Sequence, residues 1–215
     1  MAQTQYLVAA SIDGFIADAG NSLEWLFQAE SQAAVDATAA KERRFTDYFA
    51  GVGAMAMGAT TYEWVLGHER LLEQPGRWQD YYGDVPCWIF THRDLPAIPG
   101  ARLHFVSGAV APVHDQMTQA ADGRNVWLVG GGELVGQFAD QGLLDQIILA
   151  AAPVLLGSGA PLLPRRLAAT QLSLTDCSQD GTFAYLTYAV RPQPRELDYR
   201  ADAGPTVSDL TKSAI

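Results

Sequence analysis

Val126-Trp127-Leu128-Val129-Gly130-Gly131-Gly132-Glu133-Leu134-Val135 joins four apolar residues to three consecutive glycines and then to a run that can open a helix. The apolar run reads as a buried strand. Glycine lets a backbone approach a ligand closely, because no Cβ stands in the way. Glu133, Leu134, Val135, Gln137 and Phe138 continue in a helix-like pattern. The first N–H groups of a helix have no internal partner and point at whatever sits at its start. An anionic group such as a diphosphate is the natural guest there. The stretch therefore implies a phosphate-bearing cofactor.

Outward from this stretch, strand-like and helix-like segments alternate. Residues 6–10 form an apolar strand, broken by Ser11-Ile12-Asp13-Gly14 and followed by a loop through Ala19-Gly20-Asn21. Residues 30–49 read as a helix, with Val35, Ala39, Phe45 and Phe49 at helical spacing. Residues 54–58 are a second buried strand and 59–66 a short helix that Thr60 or Thr61 can cap. The aromatic-rich stretch up to Asp84 reads as a loop. Strands follow at 87–91 and 102–106, a helix at 112–121, a strand at 126–129 with its helix at 133–139, and a strand at 144–152. Residues 171–176 and 182–190 form a hairpin around Gln179-Asp180-Gly181. The alternation implies an α/β fold: a mixed, mostly parallel sheet with helices on both faces and a C-terminal antiparallel hairpin. Residues 1–190 form the domain. Residues 191–215, with Pro192, Pro194, Pro205 and few large apolar side chains, form an extension that is either disordered or an arm packed on a neighbouring subunit.

Composition sets further bounds. A chain of 215 residues is one domain, with room here for an appendage, and at 48% hydrophobic it can fill a core. No run approaches the ~20 apolar residues of a membrane span. Met1-Ala2-Gln3-Thr4-Gln5 has neither a positive region nor a cleavable apolar segment, so a cytoplasmic location is expected. Cys87 and Cys177 are expected to stay reduced, and no Cys/His pair has metal-ligand spacing. A net charge of −10 argues against nucleic acid and anionic membranes as partners, but leaves a small anionic ligand open.

Four segments then combine. They are Ala9-Ala10-Ser11-Ile12-Asp13-Gly14-Phe15-Ile16-Ala17, Met57-Gly58-Ala59-Thr60-Thr61-Tyr62-Glu63, Val129-Gly130-Gly131-Gly132-Glu133-Leu134, and Leu144-Asp145-Gln146 with Pro153-Val154-Leu155-Leu156-Gly157-Ser158-Gly159. In this order they resemble the dihydrofolate reductase-like superfamily, in particular the reductase domain of bacterial riboflavin biosynthesis and its stand-alone relatives. The resemblance implies a three-layer fold on an eight-stranded mixed sheet. It also implies NADPH-dependent hydride transfer to a small heterocycle of pyrimidine or pterin type, and a homodimer.

The same resemblance distributes roles. It sets the cofactor diphosphate or ribose against Gly130, Gly131, Gly132, Glu133 and Leu134, with a cis peptide between Gly130 and Gly131. Gly58, Thr60 and Thr61 make a second strand-to-helix turn on the other side of that diphosphate, the alternative being a plain helix cap. Ala59 stands where the family usually has an arginine. Thr91-His92-Arg93 falls where the fold puts the 2′-phosphate of NADPH, and Arg93 offers a forked donor suited to it. Ala9 and Ile16 let the nicotinamide approach the backbone, or simply pack in the core.

Ala10, Asp13, Ser22, Trp25 and Tyr62 are the substrate candidates, with Ala10, Trp25 and Tyr62 expected around a ring-sized pocket. Trp25 either stacks on a ring beneath a closing loop or anchors that loop. Asp13 either touches substrate or stabilises its own turn. No catalytic acid is assigned: Glu30 and Asp36 lie near the place of the acid in dihydrofolate reductases but in no matching motif, which leaves water or a substrate group as proton source. Gly130 stands where the bifunctional riboflavin enzymes carry an acid, and Thr61-Tyr62-Glu63-Trp64 where they carry Asp-Asp-Pro. These departures count against 5-amino-6-(5-phosphoribosylamino)uracil reduction, which stays as one alternative, while the missing acid and Ala59 keep a second, a nucleotide-binding protein without turnover.

Overall fold

The computed structural model describes residues 2–31 and 35–191. The expected extension therefore lies, but for Arg191, outside the described residues. The elements in order are β1 (Thr4–Ser11), β2 (Phe15–Asp18), α1 (Glu24–Ser31), α2 (Val35–Ala50), β3 (Val52–Gly58), α3 (Ala59–His68), α4 (Gly76–Tyr82) and β4 (Cys87–Phe90). Then come β5 (Leu103–Val106), α5 (Val110–Ala121), β6 (Asn125–Gly130), α6 (Gly132–Asp140), β7 (Gln146–Ala152), β8 (Gly159–Pro161), β9 (Leu172–Asp180) and β10 (Phe183–Val190).

Eight strands form one sheet in the order β5-β4-β3-β6-β1-β7-β10-β9, and β2 pairs with β8 in a separate ribbon. Strands β5 to β7 run parallel, while β10 is antiparallel to both β7 and β9. This is the mixed sheet with a terminal hairpin that the alternation implies.

Strand β3 shows why helices cover both faces. Successive strand side chains point to opposite sides. Ala54 and Ala56 join a core cluster with Met117 of α5 and Val135 and Phe138 of α6. Met55 and Met57 join the opposite one, with Tyr62 and Val65 of α3 and Trp78 of α4. A strand buried on both sides must read as a continuous apolar run, as this one does. Each large side chain buried this way contributes roughly 1.5–3 kcal/mol. Gly53 is required for a different reason: a Cβ there would lie 2.3 Å from the Ala121 carbonyl oxygen at the end of α5.

Three expectations need correction. The helix expected over 30–49 falls on two elements, the end of α1 and α2, and α1 starts earlier, at Glu24, whose N–H donates to Ser22 Oγ at 3.1 Å. The stretch expected as a loop contains α4, whose Trp78 is buried against the β3 face. The β2–β8 ribbon pairs residues 15–18 with 159–161, and strands of four and three residues carry no periodic signal.

Candidate functional site

The site begins where β1 and β6 part. Their pairing consists of Thr4↔Val126 and Gln5↔Trp127, although β1 continues to Ser11 and β6 to Gly130. The Trp127 indole N–H donates to the Leu7 carbonyl at 3.3 Å, so Leu7 faces β6. Ala9, two residues on, turns its N–H and C=O to that same edge, past the last β6 pair. On β6, one extra residue, Val129, sits between the pairs Ala56↔Leu128 and Met57↔Gly130. Such a bulge re-aims the chain and is frequent beside active sites.

A cavity of about 630 Å³ opens in this gap. Leu7, Val8 and Ala9 line one side and Val129 with Gly130, Gly131 and Gly132 the other. Thr60, Thr61 and Trp64 of α3 and Glu133 of α6 form further walls. Ile16 and Ala17 of β2, with Asn21, Leu23 and Leu26 around the start of α1, close over it. Pro161 and Pro164 complete the rim.

The three glycines have three local reasons. Gly131 has φ +74°, the left-handed region that glycine enters freely, with nothing within 4 Å of where a Cβ would stand. The expected cis bond between Gly130 and Gly131 is absent; this positive φ makes the turn. A Cβ on Gly132 would lie 2.3 Å from the Pro161 carbonyl oxygen and 2.6 Å from that of Leu162, so the start of α6 needs glycine to dock on the end of β8 and the residue that follows it. On Gly130, a Cβ would meet Thr61 Oγ1 at 3.4 Å, which brings the two strand-to-helix turns into contact distance. No side chain caps α3 or α6. Both helix starts therefore keep N–H groups for a ligand.

Charge at the site is balanced locally. The Glu133 carboxylate takes two hydrogen bonds from Arg165, at 3.0 and 2.6 Å, and Arg165 also donates to Asp140 at 2.8 Å. These bonds from Arg165 hold the Glu133 carboxyl below its usual range. It is ionised at neutral pH and accepts rather than donates.

Of the expected cofactor residues, Ala9, Ile16, Thr60, Thr61, Gly130, Gly131, Gly132 and Glu133 line the cavity. Gly58 precedes it as the residue before α3. Leu134 is buried in the core. Thr91, His92 and Arg93 lie beyond the lining, and Arg93 donates to both oxygens of Glu63 at 2.9 and 2.8 Å.

The five substrate candidates fall outside the lining. Ala10 is fully buried, on the strand face opposite Ala9. Trp25 packs against Ala29, Ala150 and Phe183. Tyr62 is fully buried and donates its hydroxyl to the Pro96 carbonyl at 2.6 Å; burial is the main cause that pushes this hydroxyl up to about 12. Ser22 receives the Glu24 N–H. Asp13 accepts from Ser11 Oγ and from the N–H groups of Leu156 and Gly157, tying the end of β1 to the chain before β8.

Ala10, Trp25 and Tyr62, expected around a ring-sized pocket, do not line the cavity, whereas Leu23, Leu26 and Trp64 do. Trp64 had no assigned role in the sequence, and its signal was its place one turn after Thr60 on the same helix. Glu30 does not line the cavity, and the side chain of Asp36 lies outside the described residues. Among the described residues no acidic, His or Cys cluster is arranged for a metal ion, and no helix is long and apolar enough to cross a membrane.

Comparison with known proteins agrees with this architecture. YwjB of Bacillus subtilis (strain 168), itself uncharacterized, is 28% identical over 186 residues, covering 86% of this chain and 97% of that one. A solved Shewanella sp. PV-4 structure, named provisionally for riboflavin biosynthesis, superposes with TM-score 0.66 at 21% identity, covering 89% of this chain and 99% of the other. A pyrimidine reductase-like protein of Corynebacterium diphtheriae gives 0.55 at 14% identity, over 89% and 93%. The profile of the RibD C-terminal domain matches residues 4–185, and the chain is a member of that family.

Proposed function

We propose that this chain is an NADPH-dependent reductase of a small pyrimidine- or pterin-type heterocycle. One observation carries the reading: a single cavity runs from the open edge of β1 to the uncapped starts of both α3 and α6. Helix starts hold a diphosphate, and the N–H and C=O of Ala9, on the β1 edge past the last β6 pair, suit a carboxamide. When bound, the nicotinamide supplies the hydride.

The chain's own residues do the rest. The glycine turn and Thr60–Thr61 fix the diphosphate. Ala9 orients the ring. Leu23 and Leu26 exclude water from the space beside it. Holding donor and acceptor in one geometry supplies much of the rate. Glu133, ionised, is no proton donor, so the proton comes from water or from the substrate. A homodimer belongs to the same proposal and is measured by light scattering.

Preference for NADPH over NADH rests on Arg93. Sheet order places β4 next to β3, so a dinucleotide lying over β1, β6 and β3 extends toward the chain leaving β4. Arg93 is 56% exposed and pairs with Glu63 there, and an exposed pair is worth at most about 1 kcal/mol, so a phosphate can recruit the guanidinium. Titration of the protein with NADPH and NADH tests this, followed by a screen of pterins and pyrimidines for cofactor oxidation. Arg93→Ala is expected to weaken NADPH about ten-fold more than NADH, a difference of roughly 1.4 kcal/mol. Equal weakening removes Arg93 from the site; failure of both dinucleotides to bind removes the cofactor reading.

A further inference from the structure

We propose, resting on that reading, that Trp64 is the platform on which the substrate stacks, and that the substrate is a planar, uncharged ring bearing no phosphate. The cavity lining combines two kinds of surface. At the glycine turn it presents backbone N–H groups, two threonine hydroxyls and Glu133. Its other walls include the side chains of Leu23, Leu26, Trp64 and Asn21.

Trp64 is held from behind. His68 lies 4.4 Å from it, centroid to centroid, with only 14° between the ring planes. Phe27 of α1 stacks on the same His68 at 5.1 Å and 4°. Phe27 and Trp64 are themselves 6.2 Å apart at 19°. These three near-parallel rings tie α1 to α3 at the cavity edge and fix the plane of the indole that lines it. A fixed aromatic plane binds flat heterocycles by stacking. Asn21, in the left-handed region at φ 58°, brings to the same cavity an amide that both donates and accepts, which matches the edge of a pyrimidine or pterin ring.

Charge argues for the second half of the proposal. Among the described lining residues the one charged side chain is a carboxylate, Glu133. Arg165, beside Glu133, is engaged by Glu133 and Asp140, and Arg93 stands outside the lining, where the cofactor reading already uses it. A phosphate group on the substrate would find no cationic side chain among the described lining residues. An uncharged ring meets surfaces that suit it.

The test uses the full chain loaded with NADP⁺. Calorimetry compares 6-methylpterin and 5-aminouracil with 5-aminouridine 5′-monophosphate, a ring carrying the ribose phosphate. The free rings are expected to bind at least about ten-fold more tightly than the nucleotide. Trp64→Ala is expected to weaken the free rings by about ten-fold more than it weakens NADP⁺, a size typical of one lost base stack, while Trp64→Phe keeps most of the ring affinity. Nucleotide binding as tight as that of the free rings overturns the uncharged-substrate half. Equal losses of ring and NADP⁺ affinity in Trp64→Ala, unchanged ring affinity there, or no ring binding to the loaded protein, overturn the platform. Failure of the unsubstituted chain to take up NADP⁺ refutes the cofactor reading instead.

Discussion

The two strand-to-helix turns at the cavity are alike in outline and different in what they tolerate. From β3, the chain enters α3 through Gly58 in an ordinary extended conformation, φ −76° and ψ 162°, and the nearest atom to an added Cβ is 3.9 Å away. From β6, it enters α6 through Gly131 at φ 74°, and Gly132 has backbone within 2.3 Å of an added Cβ. One turn only presents a helix start. The other presents a helix start and clamps the end of β8 and the residue that follows it. Glycine in the first is a convenience, and in the second a steric requirement.

The largest expected effect separates them by stability. Gly132→Ala forces a methyl group into the carbonyls of Pro161 and Leu162 and is expected to cost about 3 kcal/mol or more. Gly58→Ala is expected to stay within about 1 kcal/mol of the unsubstituted chain. Thermal or urea unfolding of the two variants measures this, and similar losses would break the contrast.

Charge sharpens it next. Only the α6 turn carries an acidic residue in its first turn, and Arg165 balances it. Arg165→Met leaves Glu133 uncompensated where a diphosphate would bind. NADPH affinity is expected to fall about five- to ten-fold, with Glu133→Gln in the same chain restoring most of it. Calorimetry on the single and double variants decides; loss without rescue would make Arg165 a packing residue only.

At the α3 turn the expected loss is smaller. Thr61→Val removes one hydroxyl and keeps the shape, and NADPH affinity should fall about two- to five-fold.

A third chain end, after β1, is fastened by a side chain instead of glycine backbone. The Ser11 hydroxyl, with the N–H groups of Gly157 and Leu156, lowers the Asp13 carboxyl. Its folded value therefore lies below the ordinary aspartate value of about 3.9. The stabilisation is fully present above that ordinary value and is lost as pH falls through the lowered one. Asp13→Asn should lower the melting temperature at pH 7, and the gap to the unsubstituted chain should close below about pH 4. A gap independent of pH would assign Asp13 a purely steric role.

These contrasts show which physics a sequence displays. Strand β3 was legible because burial on both faces leaves a continuous apolar run. The β6–α6 turn was legible because three adjacent glycines are rare without a backbone reason. Helix α4 was hidden because its few anchoring residues, Trp78 above all, sit among polar neighbours and form no repeating stripe. The β2–β8 ribbon depends on pairing across about 140 residues, which local pattern does not report.

At the site, position along the chain was easier to read than direction. Ala9 and Ala10 are adjacent, yet one lines the cavity and the other is core, because strand side chains alternate. Tyr62 and Trp64 share one helix turn, yet the first is sealed under Pro96 while the second reaches the cavity. Trp25 looked like the stacking ring because it follows a loop, but its neighbours on β7 and β10 hold it in the core.

The most direct test is a titration of NADPH into the unsubstituted chain and into Gly131→Val, with folding of both checked by circular dichroism. Gly131 has the space for a larger side chain but borders the cavity in a conformation suited to glycine. Saturable binding to the unsubstituted chain, lost in a folded Gly131→Val, is the predicted result. Binding that is unchanged in the folded variant, or absent from the unsubstituted chain, would contradict a dinucleotide held between the two turns.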